Sequence, residues 1–522
     1  MVHVEQQFLL ERLKPVSAGY DLDRCCMEGT RQTILSRIMV WAADPQKDDP
    51  LRRNTYWLYG SPGIGKTSVS HSICASLHEG KRLAGAFFCR RDDPNLSETR
   101  NILPTLIYKL AITFPPFRSI VAQRLRNDAN LAPESMKGSL FLEFIRTLPR
   151  HPKYTLVFVI DALDESDNAQ SRLGLLRVLN EAAIQAPWLK VIITSRPEAD
   201  IQRSFNALTS SSYLLYDLAA DQEANADIRA FAHSQFDSVA EKWYLSTPWP
   251  DESLFNRVIS RANGLFIFIK TIALAIEHRK DTTEALEAAL QDSDGTGLNS
   301  LYALYSSILR TRITPGDTEF RQMIGVLLIT APYRPLCDKT IAELAGVRPN
   351  FVKKWIDDLS SLLYRDEVAN GEIRIRHLSI SDFFFSGDCD DDYRVSPRDA
   401  NTELGIACLK TMVDQLRFNI CNLEDSRMAN ADIKDLQSLI EQNISDALQY
   451  SSIYWSHHVC FTPDNGEERL WARLKEFFEG LHPLFWVEVL SIMRMVPMGV
   501  PSVRRVISWA KVSTGLQLVH PT

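Results

Sequence analysis

A chain of 522 residues is long enough for roughly three to four folding units, and its 45% hydrophobic and 24% charged residues match ordinary soluble globular usage, which excludes fibrous and disordered classes. The net charge of -7 argues against nucleic acid as the main partner, because that electrostatic footprint is basic. Nine cysteines without a C-x-x-C pair exclude a disulfide framework and point to a reducing, cytoplasmic compartment.

The first 50 residues read as an N-terminal helical segment. "MVHVEQQFLLERLKPV" is amphipathic and carries acids, so it is neither a secretory signal nor a transit peptide. From 51 to 218, short apolar runs alternate with amphipathic stretches. "TYWLYG", "LAGAFFC", "TLVFVID", "LKVIITS" and "SYLLYDL" predict five strands, and the intervening segments predict helices with apolar residues at three and four spacing. This is the pattern of an α/β domain: a parallel sheet with helices on both faces.

Residues 219 to 292 predict a helical domain. Its most apolar run, "GLFIFIKTIALAI", is 13 residues with Lys270 inside, too short for a membrane span. "QDSDGTGLNS" then reads as a linker. Part of it imitates a calcium loop from Asp292, but the twelfth position is Ala303 instead of glutamate. From 298 to 395, three helices precede "LYRDEV", a turn "ANGE" and "IRIRHLS", the order of a winged helix. Lys353 and Lys354 on its third helix are offset by Asp357 and Asp358, which weakens a DNA-binding reading. Residues 396 to 522 predict a C-terminal helical domain.

The chemistry sits in the α/β part. "GSPGIGKTS" fits G-x-x-x-x-G-K-[ST] between a strand and a helix: Gly60, Ser61, Pro62, Gly63, Ile64, Gly65, Lys66 and Thr67, with Ser68 behind. Its glycines let backbone N–H groups turn around phosphate oxygens, and the helix that follows aims its positive end at the same place. Lys66 is expected on the β and γ phosphates and Thr67 on Mg²⁺. "TLVFVIDALDES" delivers Asp161 at a strand end, placed for the metal. Asp164 and Glu165 after it could orient or deprotonate an attacking water, or could simply line an acidic surface turn. "LKVIITSRPE" ends in Arg196, a candidate γ-phosphate sensor, or else a strand-end arginine paired to an acid. Arg90 and Arg91 could also face phosphate, but read first as surface salt-bridge residues.

With these three motifs in this order, the chain resembles the NACHT family of signal-transduction NTPases, and most of all the fungal members that usually carry β-propeller or other repeats. Ala162 and the doubled acids Asp164 and Glu165 are marks of that family, and "CCMEGTRQTILSRIMVW", "RANGLFIFIKT" and "IRIRHLSISDFF" extend the likeness over nearly the whole chain. The resemblance implies a nucleotide-controlled switch that takes ATP or ADP, with GTP possible. In it, diphosphate holds a closed form, and triphosphate exchange permits homo-oligomerisation and engagement of a protein effector. It also implies that His377 touches the β-phosphate, against the alternative of a histidine satisfied by nearby backbone. Gly264 and Leu265 would lie near the base, or simply start a helix. Gly29, Thr30 and Arg31 would line the base pocket, or cap a helix. Family members usually add an effector domain before and a sensor array after this region; little chain does either here, so the sequence is a minimal regulator or incomplete. A housekeeping P-loop ATPase or kinase, and a scaffold that binds nucleotide without hydrolysis, are the competing classes.

Overall fold

Five parallel strands organise the first of two units, Met1–Leu304, in a sheet of order β2-β3-β4-β1-β5, where β1 is Thr55–Tyr59, β2 Leu83–Phe88, β3 Leu156–Asp161, β4 Leu189–Ser195 and β5 Tyr213–Asp217. The computed structural model describes residues 2–44, 53–128, 138–148, 152–207, 213–221, 223–277, 279, 281–290, 296–366, 371–424, 428–430, 432–462 and 468–514. Residues 291–295 of the expected linker, the start of the calcium-like stretch, and 369–370 of the hairpin turn lie outside them.

Every residue of β3 and β4 is buried, as the continuous apolar runs of a sheet covered on both faces require. The register pairs Tyr59 with Ser195 and Ile160 with Ile193. The carboxyl ends of β1, β4 and β3 therefore stand side by side at one edge, where ligands of open α/β sheets bind. Helices wrap the faces for reasons written in their sequences. Ala169–Gln185 opens with Asn168 accepting a hydrogen bond from Ser171 N, then buries Leu175, Leu176, Leu179, Ala182 and Ala183 along one stripe. Phe117, Phe141, Phe144 and Phe158 pack edge-on or tilted within the core, and Trp57 stacks on Phe205 at 4.4 Å.

A charged residue interrupts β4 near its start. Lys190 is fully buried, and its ammonium donates to the Trp41 carbonyl and lies 4.5 Å from the centre of that indole. Trp41 lies in the last turn of the helix Gln32–Ala43, whose terminal carbonyls need donors, so the lysine caps a helix end from inside the sheet. Burial pushes its pKa down to about 8. After β5 the chain runs through the helices Ala224–Trp243, Glu252–Ala262, Phe266–Ile276, Thr282–Ala289 and Leu298–Arg312.

The second unit, Tyr305–Thr522, has helices Thr318–Thr330, Asp338–Ala345 and Pro349–Asp358, then an antiparallel pair of β6, Leu363–Asp366, and β7, Glu372–Ile375. Helices follow to the end of the described chain. Of these, Pro397–Gln415 packs closely on Asp446–Phe461, because a side chain at Gly405 would press on the Val459 backbone at 3.3 Å. His458 is fully buried between them, with Nε2 2.8 Å from the Tyr450 hydroxyl and Nδ1 2.9 Å from Asn401 Oδ1.

Candidate functional site

β1 ends at Tyr59, and the chain turns through Gly60–Gly65 before the helix Lys66–Glu79 begins. Gly63 and Gly65 have φ of +77° and +100°, a region that side chains disfavour. No side chain caps this helix at Gly65, so its first amides keep their donors for another acceptor, the arrangement that binds anions. The Lys66 ammonium spans the loop, donating to the carbonyls of Gly60 at 2.7 Å and Ser61 at 2.9 Å. Burial pushes its pKa down to about 8, opposed chiefly by the charge of Asp164.

Asp161, buried at the end of β3, receives three hydroxyls. Thr67 donates to Oδ2 at 2.8 Å, while Ser70 at 2.6 Å and Thr194 at 2.5 Å donate to Oδ1. Since Thr67 gives its proton to the carboxylate, its oxygen lone pairs remain for a cation. A hydroxyl and a carboxylate are hard oxygen donors of the kind Mg²⁺ takes when phosphates and waters complete its shell. Among the described residues no group of three or more His, Cys, Asp and Glu could hold a metal unaided. The donor set therefore fits Mg²⁺ carried in with a phosphate.

After Asp161 the chain reverses at Ala162, whose φ of +53° is unusual for a residue with a side chain. Its N–H donates to Thr194 Oγ1 at 3.0 Å. The short turn Leu163–Glu165 then presents both acids. Asp164 accepts from the Arg196 backbone N–H at 2.9 Å and pairs with its guanidinium at 3.4 Å. Glu165 accepts from Arg91 N at 3.3 Å, and burial, reinforced by the charge of Asp164, raises its pKa to about 7. Arg90 pairs with Asp92 at 2.7 Å.

Lys66, Thr67, Asp161, Asp164, Glu165 and Arg196 thus gather at one sheet edge. His377 lies in the second unit, after β7, with Nδ1 2.6 Å from Ser379 Oγ. Arg31 is buried, donating to Ile64 O at 2.9 Å and Asp221 Oδ2 at 2.9 Å. Gly264 and Leu265 precede the helix Phe266–Ile276, whose Ile267 N–H donates to Gly63 O at 3.2 Å.

Sequence reasoning did not single out Ser70 or Thr194. Ser70 follows Thr67 by three, on the same helical face, which was a readable signal. Thr194 follows Ile193, the register partner of Ile160, and so comes within reach of Asp161 only through the β3–β4 pairing.

A family model described as Nephrocystin 3, N-terminal matches residues 29–196, from just before Arg31 to Arg196. The vegetative incompatibility protein HET-E-1 of Podospora anserina is 25% identical over 491 residues, covering 86% of this chain and 34% of that protein. The chain thus spans about a third of the length of this curated relative. These matches bear out the resemblance to fungal NACHT NTPases. Among solved structures, the Walker-type ATPase paby2304 of Pyrococcus abyssi is 11% identical, with 71% of this chain and 99% of that chain covered at a TM-score of 0.33. The ORC2 protein of Aeropyrum pernix is 12% identical, with 77% and 98% covered at a TM-score of 0.32. Likenesses this shallow leave the P-loop NTPase fold resting on strand order and loop geometry. No helix among the described residues is long and apolar enough to cross a membrane.

Proposed function

We propose that this chain is a nucleotide-controlled signalling switch that binds ATP or GTP, hydrolyses it slowly, and assembles into homo-oligomers in its triphosphate form. The observation that carries this reading is the bridge from Thr67 to Asp161 at 2.8 Å beside the Lys66 ammonium, on the edge where the helix Lys66–Glu79 opens. Uncapped amides and an ammonium suit a polyphosphate. Thr67 and Asp161 would hold Mg²⁺, which when bound neutralises charge on the phosphate oxygens. Glu165, with its pKa near neutrality, suits proton acceptance from a water. Arg196 would bond the γ-phosphate and tell triphosphate from diphosphate.

The likeness to a vegetative incompatibility protein supports a signalling purpose, and self/non-self or defence signalling through a protein effector is part of the same proposal. Turning a 1:99 equilibrium into 99:1 takes about 5.5 kcal/mol of differential affinity, and γ-phosphate contacts from Lys66 and Arg196 are of the right kind. His377 is proposed as a β-phosphate contact and the cytoplasm as the location.

The test is a melting curve with ADP or ATP and Mg²⁺. At 100 times its dissociation constant a ligand stabilises the fold by about 2.7 kcal/mol, and Lys66→Ala should abolish that gain. Identical melting of the unsubstituted protein with and without nucleotide would sink the reading. Turnover well above about one per second on a small acceptor would replace the switch by a metabolic enzyme.

A further inference from the structure

The carbonyls of Gly63 and Ile64, in the middle of the phosphate loop, are both held from outside the loop. Ile267 N–H, at the start of the helix Phe266–Ile276, donates to Gly63 O at 3.2 Å. The Arg31 guanidinium donates to Ile64 O at 2.9 Å. A trans peptide is planar, with its C=O and N–H pointing in opposite directions. Tying these two carbonyls outward therefore turns the N–H groups of Ile64 and Gly65 to the other side of the loop, the side a bound anion would occupy.

Arg31 is itself held rigidly. Its guanidinium pairs with Asp221 at 2.9 Å, lies 3.9 Å from Asp227 Oδ2, and sits 5.2 Å from the centre of the Phe266 ring. Its own N–H donates to Asp227 at 3.0 Å, and it adopts φ +57° immediately before the helix Gln32–Ala43. Side-chain exposure is 2% for the arginine and 4% for Asp221, so the pair is shielded from water and sets one geometry. Segments around residues 31, 221–227 and 266–267, far apart in sequence, thus meet behind two adjacent loop carbonyls.

We infer that Arg31 is a positioning residue for phosphate binding: anchored by Asp221 and Asp227, it preorganises the loop amides that would hold a β-phosphate and touches neither base nor phosphate. This rests on the nucleotide-binding reading above.

The test uses the full chain and compares the unsubstituted protein with the charge-balanced double variant Arg31→Met/Asp221→Asn. The balance matters because removing the cation alone leaves two carboxylates buried without compensation, whereas in the double variant Asp227 keeps the backbone N–H at position 31. Affinities for MgADP and for magnesium pyrophosphate are measured by calorimetry, with melting in the absence of either. The expected result is a loss of tenfold or more for both ligands, by similar factors, with nucleotide-free melting within a few degrees of the unsubstituted protein. A loss confined to MgADP would make Arg31 a base contact and overturn the inference, as would unchanged affinity for both. Should the double variant fail to fold, Asp221→Asn alone, which keeps Arg31 and its shape, is expected to weaken both ligands severalfold; no weakening overturns the inference. If the unsubstituted protein binds neither ligand, the nucleotide reading itself falls, an outcome distinct from equal binding by protein and variant.

Discussion

Thr67 Oγ1 stands 2.8 Å from Asp161 Oδ2, so the residue after the loop lysine and the residue that ends β3 share a proton across 94 positions of sequence. Asp161→Asn removes the negative charge and turns one acceptor into a donor facing hydroxyls that already donate. Triphosphate affinity in Mg²⁺ should fall to its value in EDTA, as read by titration under both conditions. A retained magnesium gain would show that the carboxylate does not hold the ion.

Ser70 and Thr194 fix the other oxygen of the same carboxylate, and Thr194 also accepts from the N–H of Ala162, which starts the turn to Asp164. Thr194→Val keeps the shape and deletes the hydroxyl. Hydrolysis should drop about tenfold or more while diphosphate affinity changes little, because positioning of the acids suffers more than the loop does. Equal losses in both would assign Thr194 to binding instead.

Glu165→Gln should slow hydrolysis by about 10² to 10⁴ and trap triphosphate. Nucleotide released on denaturation reports this as a raised ATP to ADP ratio. An unchanged ratio would leave Glu165 a structural acid.

The pH profile follows from two shifts of opposite kind. Glu165 must be deprotonated to accept a proton, so kcat/KM should rise with pH through about 7. Lys66 must be protonated to hold phosphate, so kcat/KM should fall as pH rises through about 8. A narrow bell is expected, and Glu165→Gln should lose its acid limb. A flat profile from pH 6 to 9 would contradict both assignments.

His458 is fully buried, and burial, with the charge of His457 second, depresses its pKa to about 3. The unfolded chain therefore binds a proton that the folded one refuses between about 6.5 and 3, and stability falls as pH drops through that window. At pH 5 the cost is about 2 kcal/mol relative to neutral pH. Denaturant titrations at pH 7 and 5 should show it, and His458→Gln should lessen the difference.

The strands, the phosphate loop and the acidic strand end were legible because each is local. Alternating runs announce buried strands, glycines at 60, 63 and 65 announce a turn, and a strand ending in aspartate needs no partner to be recognised. Arg196 was readable as a strand-end guanidinium but not as the partner of Asp164, because that pairing depends on β4 lying next to β3. Lys190 was an ordinary polar residue in "LKVIITS" until the carbonyl of Trp41 was brought over it.

By itself, then, the amino-acid order determined which short segments can cradle an anion and where acids and a guanidinium emerge from buried strands. Those properties depend on backbone freedom and on periodicity over a few residues. Only tertiary structure decided that Thr194 grips Asp161 and that Arg31 turns the loop at Ile64. Both contacts join positions whose distance in sequence carries no information about their distance in space, and the strand order β3-β4-β1, with the segments packed on it, sets that distance.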